Sequence, residues 1–222
     1  MRASYDSFIY NVNDASFKWH IENGLTEPYP RELSLVKKYL DLYPTRNSIC
    51  LDVGGHIGTT AFPYSRLFKE VIAFEPNKSS YTLFDENIKL NALSNVTVHN
   101  KGVYNKHTLC KVVRHSTANS GCFYIKECAT MDADTIETVK LDDLTLNGPV
   151  DFIKIDTEGS EFYVLEGSRT IITKYKPLIQ VETNDCSNKY FGYDKEKIFE
   201  FMKQHEYSVF DDNGNNPLFY CK

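Results

Sequence analysis

No stretch of this 222-residue chain approaches the roughly 18 uninterrupted apolar residues that cross a bilayer. Its opening, Met1-Arg2-Ala3-Ser4-Tyr5-Asp6, leads into a polar region and makes a poor secretory signal. The expectation is a cytoplasmic protein with no membrane span. The six cysteines, Cys50, Cys110, Cys122, Cys128, Cys186 and Cys221, contain no CxxC pair and no close Cys/His cluster. That argues against structural zinc and, without a secretory signal, against a disulfide framework. Cys50 lies within an apolar run and reads as a small core residue. Positive charge is not in excess, with 25 basic against 30 acidic side chains and a net charge of -5. This disfavours general polyanion binding and leaves nucleic acid only a local patch such as Lys111, Arg114 and His115. Internal repeats, low-complexity linkers and domain boundaries are also missing. One domain fits the length.

What is present is the composition of a folded protein, 41% apolar and 25% charged. Aromatics reach 14%, with 15 tyrosines, enough either to fill a core or to line a pocket for a flat or sugar-like ligand. Residues 1–30 read as an irregular lead-in or short helix covering a pocket. Pro30 then opens a helix over about 31–42, striped by Leu33, Val36 and Leu40 and stopped by Pro44.

Strands and helices alternate from there. Strands are expected at 49–53, 71–74 and 96–98, with helices at 58–68 and 77–91; Pro63 sits early in the first of these helices. The strands are apolar on both faces, as parallel strands covered by helices must be. Short strand candidates separated by polar turns fill 102–145 and suggest a hairpin-like insertion at the sheet rim, where substrate specificity commonly resides. Alternation resumes with strands at 150–156 and 178–181, helices at 160–173 and 195–205, and a closing antiparallel pair at 207–210 and 218–220.

Asp52-Val53-Gly54-Gly55-His56-Ile57-Gly58 follows a buried strand and opens a helix. Glycines there permit a sharp turn and close approach to a ligand, and the helix amino end favours an anion. Glu75 ends the next strand, where a parallel sheet would bring it over the same crevice to accept both hydroxyl protons of a ribose. A dinucleotide fingerprint counted from Gly54 needs glycine at 56 and meets His56. A nicotinamide dehydrogenase is therefore disfavoured. Asp52 suits an ammonium better than a pyrophosphate.

Leu51-Asp52-Val53-Gly54-Gly55-His56-Ile57-Gly58, Phe74-Glu75-Pro76-Asn77 and Asp151-Phe152-Ile153-Lys154-Ile155-Asp156-Thr157-Glu158-Gly159-Ser160-Glu161 together resemble the FkbM family of S-adenosylmethionine (SAM)-dependent methyltransferases. The likeness runs over about positions 26 to 220. It implies a Rossmann-like class I methyltransferase fold over 31–222, an α/β architecture whose seven-stranded, mostly parallel sheet ends in an antiparallel strand. It implies O-methylation of a sugar hydroxyl on a glycan or glycosylated small molecule. It also implies that Asp52, Gly54 and Gly58 shape the SAM loop and that Glu75 holds the ribose, with Gly55, His56 and Pro76 in the same site. The family has Ala then Asn where this chain has Gly55 and His56, so His56 is open to contact with either the methionine portion or the acceptor.

Methyl transfer to a hydroxyl needs in-line alignment, a proton acceptor and exclusion of water. Asp156 and Glu182 cap neighbouring strands facing that crevice, and Lys154 shares a strand face with Asp156. Asp156 is the favoured base, His115 and His56 are reserves, and Lys154 is expected to pair with a carboxylate. Glu161, in the first helical turn after Gly159, is expected to bond free amides of its loop. His20 has a weaker claim as base; His99, His107 and His205 have less. Trp19, Tyr29 and Tyr124 are candidates for stacking on adenine or a sugar. Similarity to small metal-assisted O-methyltransferases would let Asp156, Glu182 and Asn184 bind magnesium. Rival readings are an RNA, protein or lipid acceptor, and a non-catalytic module that keeps the SAM fold. The sequence admits a homo-oligomer without specifying one.

Overall fold

The computed structural model describes residues 1–5, 8–12, 18, 21–23, 30–114, 121–132, 134–183, 187–212 and 214–221. The chain begins with β1 (Arg2–Tyr5) and β2 (Phe8–Asn11), followed by α1 (Pro30–Leu42). Alternation then runs through β3 (Ile49–Val53), α2 (Ala61–Ser65), β4 (Glu70–Phe74), α3 (Lys78–Leu90) and β5 (Val96–His99). Next come β6 (Gly102–Val103), β7 (Leu109–Arg114), β8 (Phe123–Glu127) and β9 (Thr135–Val139). The last section holds β10 (Val150–Ile155), α4 (Glu161–Glu166), α5 (Arg169–Tyr175), β11 (Leu178–Val181), α6 (Lys195–Gln204), β12 (Tyr207–Asp211) and β13 (Leu218–Cys221).

The central sheet has seven strands in the order β12-β13-β11-β10-β3-β4-β5. Its strands β11, β10, β3, β4 and β5 pair in parallel, and β13 runs antiparallel to both β11 and β12. This is the sheet the family resemblance implies. Side-chain alternation divides the core in two. Cys50, Val71, Ala73, Phe152, Leu178 and Leu218 face one layer, with Val36, Phe62, Tyr64 and Phe84. Leu51, Val53, Ile153, Ile155, Ile179 and Val181 face the other, with Leu165, Ile172 and Ile198.

Three expectations change. The N-terminal lead-in contains a hairpin, β1 with β2. Phe8 and Tyr10 alternate onto Phe62, with ring centroids 5.6 and 5.3 Å away. Asn87 and Asn91, one turn apart on α3, bond the main chain of β2: Asn11 N–H donates to Asn87 Oδ1 (2.6 Å) and Ile9 N–H to Asn91 Oδ1 (2.8 Å). The hairpin is thus fastened to α3. Half of residues 1–30, expected to cover a pocket, lie outside those described.

The helix expected at 58–68 shortens to α2, because tight turns through Gly58 occupy its first positions and Phe62 N–H bonds Gly58 O at 3.1 Å. The helix expected at 160–173 splits into α4 and α5 at Gly167. A Cβ there would stand 2.2 Å from the Tyr104 carbonyl oxygen, so the break admits the chain leaving β6. The insertion forms its own four-stranded sheet, β6-β9-β7-β8. Cys50, Cys110, Cys122, Cys128 and Cys221 form no disulfide among the described residues, and Cys186 lies outside them. Among the described residues no helix is long and apolar enough to cross a membrane.

Candidate active site

Register across the parallel strands builds the site. Lys154 on β10 stands opposite Asp52 on β3 and Gln180 on β11. Two residues further along each strand come Gly54, Asp156 and Glu182, on the same face. The ladder continues past the strand ends, with Asp156 N–H donating to Val53 O (3.0 Å) and Glu182 N–H to Ile155 O (2.8 Å). Gly54 turns at φ +83°, and a Cβ on it would lie 1.7 Å from the Asp156 carbonyl oxygen. The immediate reason for glycine is therefore the neighbouring strand's main chain. Gly55 N–H joins Gly54 N–H on the Phe74 carbonyl, and Gly58 N–H closes the loop on Gly55 O.

Lys154 is the hub of the deep row. Its ammonium lies 3.2 Å from Asp156 Oδ2 and 3.6 Å from Asp52 Oδ1, and it donates to Gly54 O at 3.1 Å. Asp52 is fully buried, and its Oδ2 accepts from Thr60 Oγ1 at 2.6 Å. Burial pushes the Asp52 carboxyl up, opposed by Lys154 and Thr60. Asp156 keeps 28% of its side chain exposed and reaches the crevice. It is hydrogen-bonded to the half-buried Glu182, whose carboxyl is driven well up by burial and by facing Asp156, Glu161 and Glu158. That environment favours the protonated form of Glu182, which can then donate to Asp156.

The loop after Asp156 is braced by Glu161. Its Oε1 accepts from Thr157 N–H (3.0 Å), Thr157 Oγ1 (3.0 Å) and Gly159 N–H (2.9 Å), as expected for that position. Tyr193 OH donates to Gly159 O at 2.6 Å and lies 3.2 Å from Glu161 Oε2.

Glu75 is buried beside the glycine loop. Its Oε2 accepts from His56 N–H (2.9 Å) and its Oε1 from Asn77 N–H (2.7 Å). Asn100 holds the Glu75 and Pro76 carbonyls at 2.9 and 3.0 Å. These residues fit SAM. Each Glu75 oxygen retains a lone pair for a ribose hydroxyl. Asp52 Oδ1 is buried without a hydrogen bond among the described residues, an acceptor suited to an ammonium.

Burial raises the Glu75 carboxyl from 4.5 to about 8, against the pull of the Asn77 and His56 amides. The native protein therefore keeps a proton that the unfolded chain releases between about pH 4.5 and 8. This contribution to stability is present below that window and is lost as pH rises through it. Thermal melts of the ligand-free protein should show it as a fall in Tm across the window, flattened in Glu75→Gln. An equal slope in that variant would remove Glu75 as its source.

His115, His20, Trp19, Tyr29 and Asn184 lie outside the described residues. His56 sits in the loop at φ +49°, with its amide on Glu75. The weaker histidines have structural neighbours: His99 stacks on Phe74, His205 stacks on Phe201, and His107 Nε2 meets Asp143 Oδ2 at 2.7 Å. Tyr124 stacks on Tyr190 at 4.2 Å, which occupies one of its faces. Among the described residues no group of three or more His, Cys, Asp and Glu is placed to hold a metal. Sequence reasoning missed Thr60, Asn100 and Tyr193, which carry no local signal. Asn77 caps α3, accepting from Ser79 and Ser80 N–H.

The model of the methyltransferase FkbM domain matches residues 52–209. Among solved structures, the methyltransferase FkbM from Methylobacillus flagellatus KT is 20% identical, covering 79% of this chain and 44% of its own, with a TM-score of 0.56. This chain thus spans less than half of that protein. A putative caffeoyl-CoA O-methyltransferase from Staphylococcus aureus is 12% identical over 95% of this chain and 93% of its own, TM-score 0.56. A putative methyltransferase from Streptococcus mutans in complex with SAH is 15% identical over 87% and 97%, TM-score 0.51. At such identities these structures share the fold. A comparison with curated proteins found no match. The family match begins at Asp52 and takes in the glycine loop, Glu75, Lys154, Asp156 and Glu182, so the chain belongs to the FkbM family of SAM-dependent methyltransferases.

Proposed function

We propose that the protein methylates a hydroxyl oxygen of a sugar, on a glycan or a glycosylated small molecule. The observation that carries this is the position of Asp156, a partly exposed carboxylate whose own main chain abuts Gly54 of the cofactor loop. SAM, when bound, supplies an electrophilic methyl group. The chain's part is to present a hydroxyl to it and take the proton. Asp156 receives that proton while Lys154 orients the carboxylate, and protonated Glu182 fixes its second side. Glu158 and Glu182 add acceptors for neighbouring hydroxyls, which favours a polyhydroxylated substrate. The reserve bases are His56, in the loop, and His115.

An RNA acceptor has less support. The small basic patch is already engaged, with Lys111 2.6 Å from Asp132 and Arg114 over the Phe123 ring. A non-catalytic module gives no reason to keep Lys154 and Asp52 buried together. Magnesium on Asp156 and Glu182 is also weaker, because Lys154 and a shared proton already balance that pair.

The test is transfer of labelled methyl from SAM to methyl glycosides of a hexose, a deoxyhexose and an N-acetylhexosamine, with RNA, peptide and lipid acceptors in parallel. Label is expected in a pyranoside, and EDTA should not abolish it. Transfer to another acceptor class alone would overturn the sugar assignment, and loss with EDTA restored by magnesium would reinstate the metal.

A further inference from the structure

Gln180 lies in the middle of β11 and is only 4% exposed. Register sets it between Lys154 of β10 and Leu218 of β13, and alternation puts it on the face of Glu182. Its amide therefore lies in the row directly beneath the Asp156–Glu182 pair. Its neighbours in that row are engaged, Asp52 by Thr60 and Lys154 by both aspartates and Gly54. Among the described residues the Gln180 amide has no hydrogen-bond partner, nor is it among the fully occluded polar atoms. Its polar atoms are therefore not wholly sealed in the core.

A buried carboxamide without partners destabilises a fold, and an apolar side chain would pack beside Leu178 and Leu218 on the same face at no such cost. We propose that Gln180 is an acceptor-binding, specificity-determining residue. A carboxamide presents one acceptor and one donor side by side, which matches two adjacent hydroxyls of a pyranoside. Gln180 would hold such a hydroxyl while the reacting one faces Asp156. This inference rests on the sugar assignment above, and sugars lacking the matching hydroxyl would leave the amide unpaired and bind poorly.

Gln180→Met, close in shape and apolar, tests it, with Gln180→Leu as a second variant should Met fail to fold. Because no group among the described residues uses the amide, Tm is expected to rise by roughly 2–4 °C. Calorimetric affinity for S-adenosylhomocysteine should be unchanged. Binding of methyl α-D-glucopyranoside, methyl α-L-rhamnopyranoside or methyl N-acetyl-β-D-glucosaminide is followed by saturation-transfer NMR on the S-adenosylhomocysteine complex. The best of these should weaken roughly tenfold in the variant. A lowered Tm in both variants would show that the amide supports the fold and overturn the inference. Unchanged pyranoside binding would overturn it while sparing the sugar assignment. Failure of all three probes to bind the unsubstituted protein would remove the sugar assignment and this inference together.

Discussion

Asp156→Asn is expected to slow methyl transfer by roughly 10²–10⁴-fold, the range lost with a positioned general base. Affinity for S-adenosylhomocysteine should stay near its original value. Asparagine has the same shape, its oxygen can accept from Lys154, and its NH2 can donate to Glu182, so the local packing survives. What it cannot do is take a proton. The substitution also removes the charge that helps push Glu182 up, so the Glu182 carboxyl falls toward the ordinary range. Residual activity should then follow Glu182 ionisation, and a second change, Glu182→Gln, should remove it. Rates of single and double variants across pH separate this from a structural role, which would alter binding and melting instead. Full activity in Asp156→Asn would return the base to His56 or His115.

The parts of the site legible in the sequence are those set by strand periodicity. Lys154 and Asp156 are two apart on a strand, and Asp52 and Glu75 end strands of a parallel run, so their convergence follows from topology. The hairpin at β1 and β2 was not legible, because its partners Asn87 and Asn91 lie some eighty positions away and carry no hairpin signature. The break at Gly167 was hidden for the same reason, since its cause is the Tyr104 carbonyl of another element. Gln180 illustrates the limit best. As one polar residue in an apolar strand it looks tolerable, and only its register with Lys154 shows where the amide points. Glycine at 54 was read correctly as necessary, but the ligand was credited with a constraint that the Asp156 main chain imposes.

Lys154→Met should produce the largest stability loss, about 3–5 kcal/mol, because it strands a charge in the interior rather than merely deleting an ion pair. The lysine side chain is 6% exposed and that of Asp52 0%, so water cannot take over from the ammonium. Asp52 would face Asp156 with only the Thr60 hydroxyl left to it. Its carboxyl would have to bind a proton to stay folded, so the variant should regain stability as pH falls, more steeply than the unsubstituted protein, in which burial already raises the Asp52 carboxyl. Asp52→Asn in the Lys154→Met background removes the stranded charge and keeps an oxygen for Thr60. The double variant should therefore be more stable than Lys154→Met alone, a non-additivity that urea denaturation of the four proteins measures directly. Methyl transfer should not return with it, since Asp156 would still lack the ammonium that orients its carboxylate. Additive losses, or a Lys154→Met loss of only about 1 kcal/mol as for an exposed pair, would mean that the row is wet. Lys154 would then be a surface residue with no hold on Asp156.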